Sequence, residues 1–273
     1  MKNFPHGIGE ALGDALVTAA TFRTDGVVLY VHHTGSDAYD GLDRVKPKAT
    51  VGGAVSAAFA GDTVVLLPGH TETVMAQIAV PYRINLIGSG ASGGIPTPTL
   101  TWGGTSSAAM LDVTADGVLI GGIRFAPSTV TGTTTACIFV EANYFTLRGC
   151  YIECGANDDY GVVVETLMSA GTIEDTTFIS TATVVTAQPV VAVYFLASPA
   201  ESGSEGWYFD NVTFDGGTAG FSNFSAYDDT LSRSDLKLYE GVTLANGADM
   251  AIMAESNGVL NVVDSESGGM VDW

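Results

Sequence analysis

From about residue 62 onward, apolar residues recur in short runs of four to seven in which every second position is large and apolar. Examples are Thr63–Leu67, Arg83–Ile87, Val118–Phe125, Cys137–Val140, Tyr144–Ile152, Gly161–Glu165, Val190–Leu196, Trp207–Phe214 and Gly258–Val263. Val, Ile, Thr, Phe and Tyr dominate these runs, and Gly, Asn, Asp or Ser breaks them, which is the pattern of short β-strands joined by turns. Long segments of helical period are missing from this region.

A weak self-similarity lies inside the pattern. Ile120-Gly121-Gly122-Ile123-Arg124-Phe125 aligns with Leu147-Arg148-Gly149-Cys150-Tyr151-Ile152, then with Ile173-Glu174-Asp175-Thr176-Thr177-Phe178 and Phe209-Asp210-Asn211-Val212-Thr213-Phe214. Leu86-Ile87-Gly88-Ser89 reads as an earlier partial copy and Leu238-Tyr239-Glu240-Gly241-Val242 as a later one. The third position of the full copies is Gly122, Gly149, Asp175 or Asn211, residue types that tolerate a left-handed backbone and so make a sharp corner cheap. First positions are 27, 26 and 36 residues apart, which predicts one corner per coil of a stacked β-solenoid, with loops such as Ser198–Glu205 thrown out where the interval is longer. A β-sandwich is the rival architecture, but sandwiches rarely repeat one corner at this interval.

One helix is expected before the solenoid. Thr50 is a plausible N-cap, Val51, Ala54, Val55 and Ala58 form an apolar stripe, and Gly61 can end the helix in a left-handed conformation. A solenoid end exposes unpaired strand edges and an open core, and this helix is placed to cover one. The division expected is an N-terminal arm over 1–28, a first strand, loop and capping helix over 29–61, and the solenoid over 62–273. The arm is rich in Gly and Ala, and Phe4, Pro5, Ile8, Leu12 and Leu16 are its candidate docking residues.

Charge sharpens the picture. The 273-residue chain has 10 basic and 30 acidic residues, a net charge of −20. Residues 1–100 carry a net of only −2, and residues 101–273 a net of −18. This argues against nucleic acid and against an anionic membrane surface as partners. No stretch reaches the roughly 18 apolar residues that span a membrane. The first 20 residues, with one Lys and no long apolar run, do not read as a signal peptide. Cys137, Cys150 and Cys154 form no closed disulfide framework and read as buried thiols, consistent with synthesis in a reducing cytosol.

Gly35-Ser36-Asp37, Asp40-Gly41-Leu42, Pro47, Ala49-Thr50, Ala54, Ala57-Ala58, Gly61-Asp62-Thr63-Val64 and Pro68-Gly69-His70-Thr71-Glu72-Thr73 follow one spaced pattern. It resembles the opening segment of right-handed parallel β-helix proteins of the pectate-lyase-like superfamily. Met1-Lys2-Asn3-Phe4-Pro5-His6-Gly7-Ile8 resembles the N-terminus of β-helix structural proteins of tailed bacteriophages. The resemblance supplies the hand of the helix and implies two classes of work: cleavage of acidic polysaccharides, or non-catalytic spikes, fibres and head-surface proteins of virions, commonly homotrimers.

Candidate chemistry was weighed between these. A lyase of this superfamily needs Ca²⁺-binding carboxylates beside a base; the cations on offer are Arg124, Arg148, Arg233 and Lys237, and Arg124 and Arg148 have no acids at a recognisable sequence spacing. A hydrolase needs two or three carboxylates around one bond, for which Asp158-Asp159 and Asp228-Asp229 are the adjacent pairs. Asp37, Asp40 and Asp43 could ligate Ca²⁺ or make Asx-turns. His32 and His33, adjacent on an expected strand, should face opposite sides. Trp207, Tyr208, Tyr227 and Trp273 could stack on sugars or pack a trimer interface.

The resulting expectation is an all-β, single-stranded right-handed parallel β-helix with an N-terminal arm and short capping helix. Its expected function is non-enzymatic: a phage virion protein, assembled in the host cytoplasm, that decorates the head as a homotrimer and binds the major capsid protein, without cofactor or metal. The alternative is a tailspike-like protein that binds or depolymerises a glycan.

Overall fold

The computed structural model describes residues 26–104, 108–126, 134–155, 158–165, 167–183, 191–196, 206–218, 226–228, 237–240, 242–245 and 261–263. The arm residues Phe4, Pro5, Ile8, Leu12 and Leu16, together with Trp273 and Arg233, lie outside them.

The strands stack into three sheets of nine, seven and six parallel strands, with one two-stranded antiparallel hairpin to the side. The chain visits the sheets in turn, so each strand pairs with the one from the next coil. In the first sheet Leu86, Ile120, Leu147, Ile173, Phe209 and Tyr239 occupy one register position, coil upon coil. Leu86, Ile120, Leu147, Ile173 and Phe209 are the first positions of the sequence repeat, whereas the late copy enters the column at Tyr239, one residue after its expected first position Leu238. Leu86, Ile120, Leu147, Ile173 and Phe209 are fully buried. In the second sheet Leu100, Phe125, Ile152, Phe178 and Phe214 form the matching inward ladder, and the Phe178 and Phe214 rings stack at 5.4 Å. The third sheet adds Ile78, Leu111, Ile138, Val162 and Val193 beside Val80, Val113, Val140, Val164 and Phe195. All belong to one continuous core. The inside of the coil is therefore a pile of like residues, each covered by the coils above and below.

The corner between the first and second sheets is the repeated third position. Gly122, Gly149, Asp175 and Asn211 have φ of 63°, 58°, 49° and 50°. The corner N–H groups of Gly122, Gly149 and Asp175 donate to the carbonyls of Arg148, Glu174 and Asp210 in the next coil, at 3.0 Å each. Asn211 Nδ2 also donates to Asp175 Oδ1 at 2.9 Å, a side-chain rung between corners.

Helix α1 spans Val51–Ala57. Thr50 is its N-cap in extended conformation, and its hydroxyl accepts from Gly53 N at 2.9 Å. Val51, Ala54 and Val55 are buried against the strands Val28–Val31, Thr63–Leu66 and Ile78–Val80. The helix stops earlier than the sequence suggested. Ala58, in extended conformation, caps it, and Gly61, at φ 94°, instead turns the chain into the Thr63–Leu66 strand.

Candidate functional site

Two groups of polar residues stand out, and the first lies at the mouth of the first coil. His32 and His33 do not face opposite sides as expected. The strand ends at Val31 and the chain turns, so the two rings sit 4.2 Å apart, each within 6.4 Å of His70. His70 is fully buried, and its Nε2 lies 3.1 Å from Glu72 Oε2, which also accepts from Val51 N at 2.7 Å. This chain of contacts ties the start of α1 to the Thr71–Val74 strand. The other imidazoles and burial push the His32 pKa down, burial being the larger cause.

The aspartates of the neighbouring loop are spent on the backbone. Asp37 Oδ1 accepts from Ala49 N at 2.9 Å and Thr50 N at 3.0 Å, and Oδ2 from the Thr50 hydroxyl at 2.7 Å. Asp40 and Asp43 accept from the N–H two residues on, as Asx-turns do. Among the described residues no three His, Cys, Asp or Glu side chains converge in an arrangement that could hold a metal ion.

The second group lies on the outer face of the third sheet. Alternation along its strands sends Leu111 and Val113 inward and leaves Asp112 outward. Asp112 sits opposite Phe139 of the next coil, and Val163 and Tyr194 continue that outward row. Around them a cluster separate from the core gathers Ala109, Ala136, Val163, Phe139, Tyr160, Tyr194 and Leu196. The Tyr160 and Tyr194 rings are stacked at 4.8 Å. Glu141 and Glu165 each follow the last inward valine of a strand, Val140 and Val164, which brings them to neighbouring coils. Glu141 N donates to Val113 O, and Glu165 N to Val140 O, both at 2.8 Å.

Asp112, Glu141 and Glu165 interact electrostatically. Burial raises the Glu141 pKa, and the charges of Asp112 and Glu165 raise it further. Burial alone raises the Asp112 pKa. Asp112 Oδ1 is shielded from solvent and accepts no hydrogen bond. Carboxyl groups whose pKa values are raised by burial, beside aromatic side chains, suit general acid–base work on a sugar.

Sequence reasoning missed this trio because its members are isolated along the chain. The available signal was the shared ending Phe139-Val140-Glu141 and Val163-Val164-Glu165, which repeats in consecutive coils. The adjacent pairs available in the sequence stand at strand ends: Asp158 and Asp159 open one strand and Asp228 closes another, while Asp229 lies outside the described residues. Trp207 is not a sugar platform. It is buried between Phe145 and Phe195, and its Nε1 donates to Met168 O at 2.9 Å. The arginines do have acidic neighbours, supplied by the next coil. Arg124 Nη2 and Nε lie 2.6 and 2.8 Å from Glu153 Oε1, and Arg148 Nε lies 3.3 Å from Glu174 Oε1.

No protein-family model matches the chain, and no curated protein matches it by sequence. Solved structures do share its fold. A rhamnogalacturonan lyase superposes with a TM-score of 0.58 at 16% identity, over 88% of this chain and 64% of the lyase. The ORF18 protein of Geobacillus virus E2 gives 0.50 at 12% identity, over 71% of this chain and 38% of that one. A pectin methylesterase from Aspergillus niger gives 0.50 at 14% identity, over 85% of this chain and 82% of the esterase. The chain thus spans less than two thirds of the first two proteins, and identities this low establish the fold alone: a right-handed parallel β-helix. They also correct the non-enzymatic expectation. Proteins with this coil stack include polysaccharide-processing enzymes, so the fold and the acidic wall give no ground for excluding catalysis.

Proposed function

We propose that this chain is a tailspike-like β-helix protein that binds a glycan on the outer face of its third sheet and cleaves it there. The observation that carries this reading is Glu141 between Asp112 of the preceding coil and Glu165 of the next, each of whose charges acts on it, beside Phe139, Tyr160 and Tyr194. The aromatic side chains supply an apolar wall for a sugar ring. Glu141, whose pKa burial and the charges of Asp112 and Glu165 raise, protonates the glycosidic oxygen as the bond breaks. Asp112 or Glu165 activates the water that attacks the anomeric carbon.

The phage-like opening Met1–Ile8 and the similarity to the Geobacillus virus E2 protein support a place on a virion. Trimerisation and attachment to the capsid through residues 1–28 belong to the same proposal. The test is reducing-end release from a panel of bacterial surface polysaccharides by the purified full-length protein. Release from at least one polysaccharide, abolished by Glu141→Gln, is the expected result. Binding and release that both survive Glu141→Gln and Glu165→Gln would place the activity elsewhere on the chain, and no binding to any polysaccharide would overturn the reading.

A further inference from the structure

We infer that the N-terminal segment 1–25 docks on its own coil, seating Phe4, Ile8, Leu12 and Leu16 along an apolar ridge made by Phe59, Tyr82, Tyr144 and Leu167. The inference does not depend on the glycan reading. Four observations carry it.

The first is the ridge. In each coil the chain turns a second corner, from the third sheet into the first, over 81–84, 114–118, 141–145 and 165–171. Tyr82, Tyr144 and Leu167 stand at three of these corners, and Phe59 stands at the matching entry to the Thr63–Leu66 strand. Backbone bonds hold the corners in line: Gly61 N donates to Arg83 O at 2.7 Å, Gly117 N to Asn143 O at 2.9 Å and Tyr144 N to Ser169 O at 3.0 Å. Phe59, Tyr82, Tyr144 and Leu167 are 71%, 45%, 64% and 49% exposed, and the first two rings are 6.4 Å apart. At the corner without a large apolar residue the Arg83 stem lies alongside, since a Cβ on Gly117 would come 3.3 Å from its Cδ. Single exposed apolar residues are ordinary, but a row of them along one edge marks a contact surface.

The second is backbone strain. Tyr144 and Leu167 have φ of 56° and 69°, a left-handed conformation that is an outlier for bulky residues. The corner of the preceding coil uses Gly117, at φ 72°, where the same backbone carries no penalty. A tyrosine 64% exposed returns little to the coil for that strain, which points to a contact outside it.

The third is the place where the segment joins the fold. It meets Gly26 at the foot of the ridge. The buried Asp62 carboxylate accepts from Val27 N and Phe59 N, both at 2.8 Å, and so holds the incoming chain beside Phe59. From Phe59 to Leu167 is four coil steps, about 19 Å at the usual strand spacing. Leu16, Leu12, Ile8 and Phe4 lie 10, 14, 18 and 22 residues from Gly26. Even at a helical rise of about 1.5 Å per residue those separations reach about 15–33 Å, enough to pass the whole ridge. Tethered at its foot, the segment meets the ridge at high effective concentration.

The fourth is charge. Residues 101–273 carry a net of −18, so a second copy laid coil against coil would bring like charge to like. Residues 1–25 contain two basic and three acidic residues, a net of −1, and bring almost none. Docked this way, the apolar side chains of the segment are sheltered in the free protein, and attachment through residues 1–28 exchanges one apolar surface for another.

Thermolysin, which cuts before Ile and Leu, reads that shelter in the full-length protein. Cuts before Ile8, Leu12 and Leu16 should be at least tenfold faster in Tyr144→Gly/Leu167→Gly, whose glycines suit both corners, than in the parent. Leu12→Asp, which leaves the coil untouched, should speed the cuts before Ile8 and Leu16 by a similar factor. Unchanged rates in Leu12→Asp would overturn the inference whatever the double variant does. The second measurement joins Leu12→Cys to Leu167→Cys with a short bismaleimide in an equimolar mixture of unlabelled and ¹⁵N-labelled chains. Products within single chains are expected. Mixed products would give the ridge to a second copy, and no product would leave it without this segment, so either overturns the inference.

Discussion

The rings of Tyr160 and Tyr194 lie 4.8 Å apart with only 11° between their planes, although 34 residues separate them in the sequence. Consecutive coils have placed two aromatic side chains on top of one another outside the core. A stacked pair of this kind is worth about 0.5–1.5 kcal/mol beyond the area it buries. Tyr194→Phe should keep the stack and the stability, and Tyr194→Ala should lower stability by at least that amount while weakening glycan binding. Urea unfolding of both variants, followed by binding to whichever polysaccharide the panel identifies, checks the two effects.

Asp112 and Glu141 should make the protein less stable as pH rises. A carboxyl whose pKa is higher in the folded chain than in the unfolded one favours folding at low pH, and that contribution is lost as pH climbs through the folded value. Asp112 and Glu141 are both raised, so the loss begins above the unfolded carboxylate range of about 4. Glu141→Gln and Asp112→Asn should therefore stabilise the protein at pH 7 and lose that advantage near pH 4. Urea midpoints across this range read the slope directly, and an advantage that grows on acidification would contradict the assignment.

Asp37 behaves in the opposite sense. Burial works against its ionisation, but the Thr50 hydroxyl, the N–H groups of Thr50 and Ala49 and the charge of Lys48 outweigh it and hold the pKa down. Its contribution is present at neutral pH and disappears as pH falls through the lowered value, below about 4. Asp37→Asn should destabilise the first coil at pH 7 and be neutral at pH 2. Thr50→Ala, which removes the N-cap oxygen and the partner of Asp37 together, should cost about 1 kcal/mol or more.

Two corner glycines should respond differently to the same change. Gly122 and Gly149 share a left-handed backbone, at φ 63° and 58°. A Cβ on Gly122 would come within 2.6 Å of Gly88 O, whereas one on Gly149 would meet nothing within 4 Å. Gly149→Ala should cost only the left-handed penalty of about 1–2 kcal/mol. Gly122→Ala should cost clearly more, because the backbone of the preceding coil must move. Thermal melts of the two variants side by side make the comparison.

The thiols should be silent in the native protein. Cys137, Cys150 and Cys154 are all buried, and burial pushes the Cys150 pKa up to about 12. Alkylation followed by intact-mass measurement should find all three unmodified under native conditions and all three modified in denaturant.

Much of the coil was readable in advance because its inside is made of repeated positions. Ile120, Leu147, Ile173 and Phe209 were aligned by spacing alone, and they occupy one register column. The corner residues were readable for the same reason, since a left-handed backbone restricts residue type. The outer face was not legible in this way. Which acid meets which arginine, or which carboxylates gather, depends on the register between coils. Glu153 lies 29 residues from Arg124, and no local pattern announces that pairing. Glu141 and Glu165 are 24 residues apart in the sequence, and in a coil stack neighbours in space are a full turn apart, so adjacency along the chain does not reveal them. His32 and His33 depart from the alternation for a simpler reason: the strand ends at Val31, two residues short of His33.

The direction of the sheet hydrogen bonds has a mechanical meaning. In all three sheets they run from coil to coil, along the axis, while the chain itself circles that axis. A pull applied between the two ends of the stack loads those bonds lengthwise, every coil junction carries the same force, and the weakest junction opens first. Such a molecule does not yield all at once. It would pay out chain one coil at a time, each step releasing roughly the length of one turn, so that a spike anchored at one end and bound at the other would absorb tension in increments before its whole fold was lost.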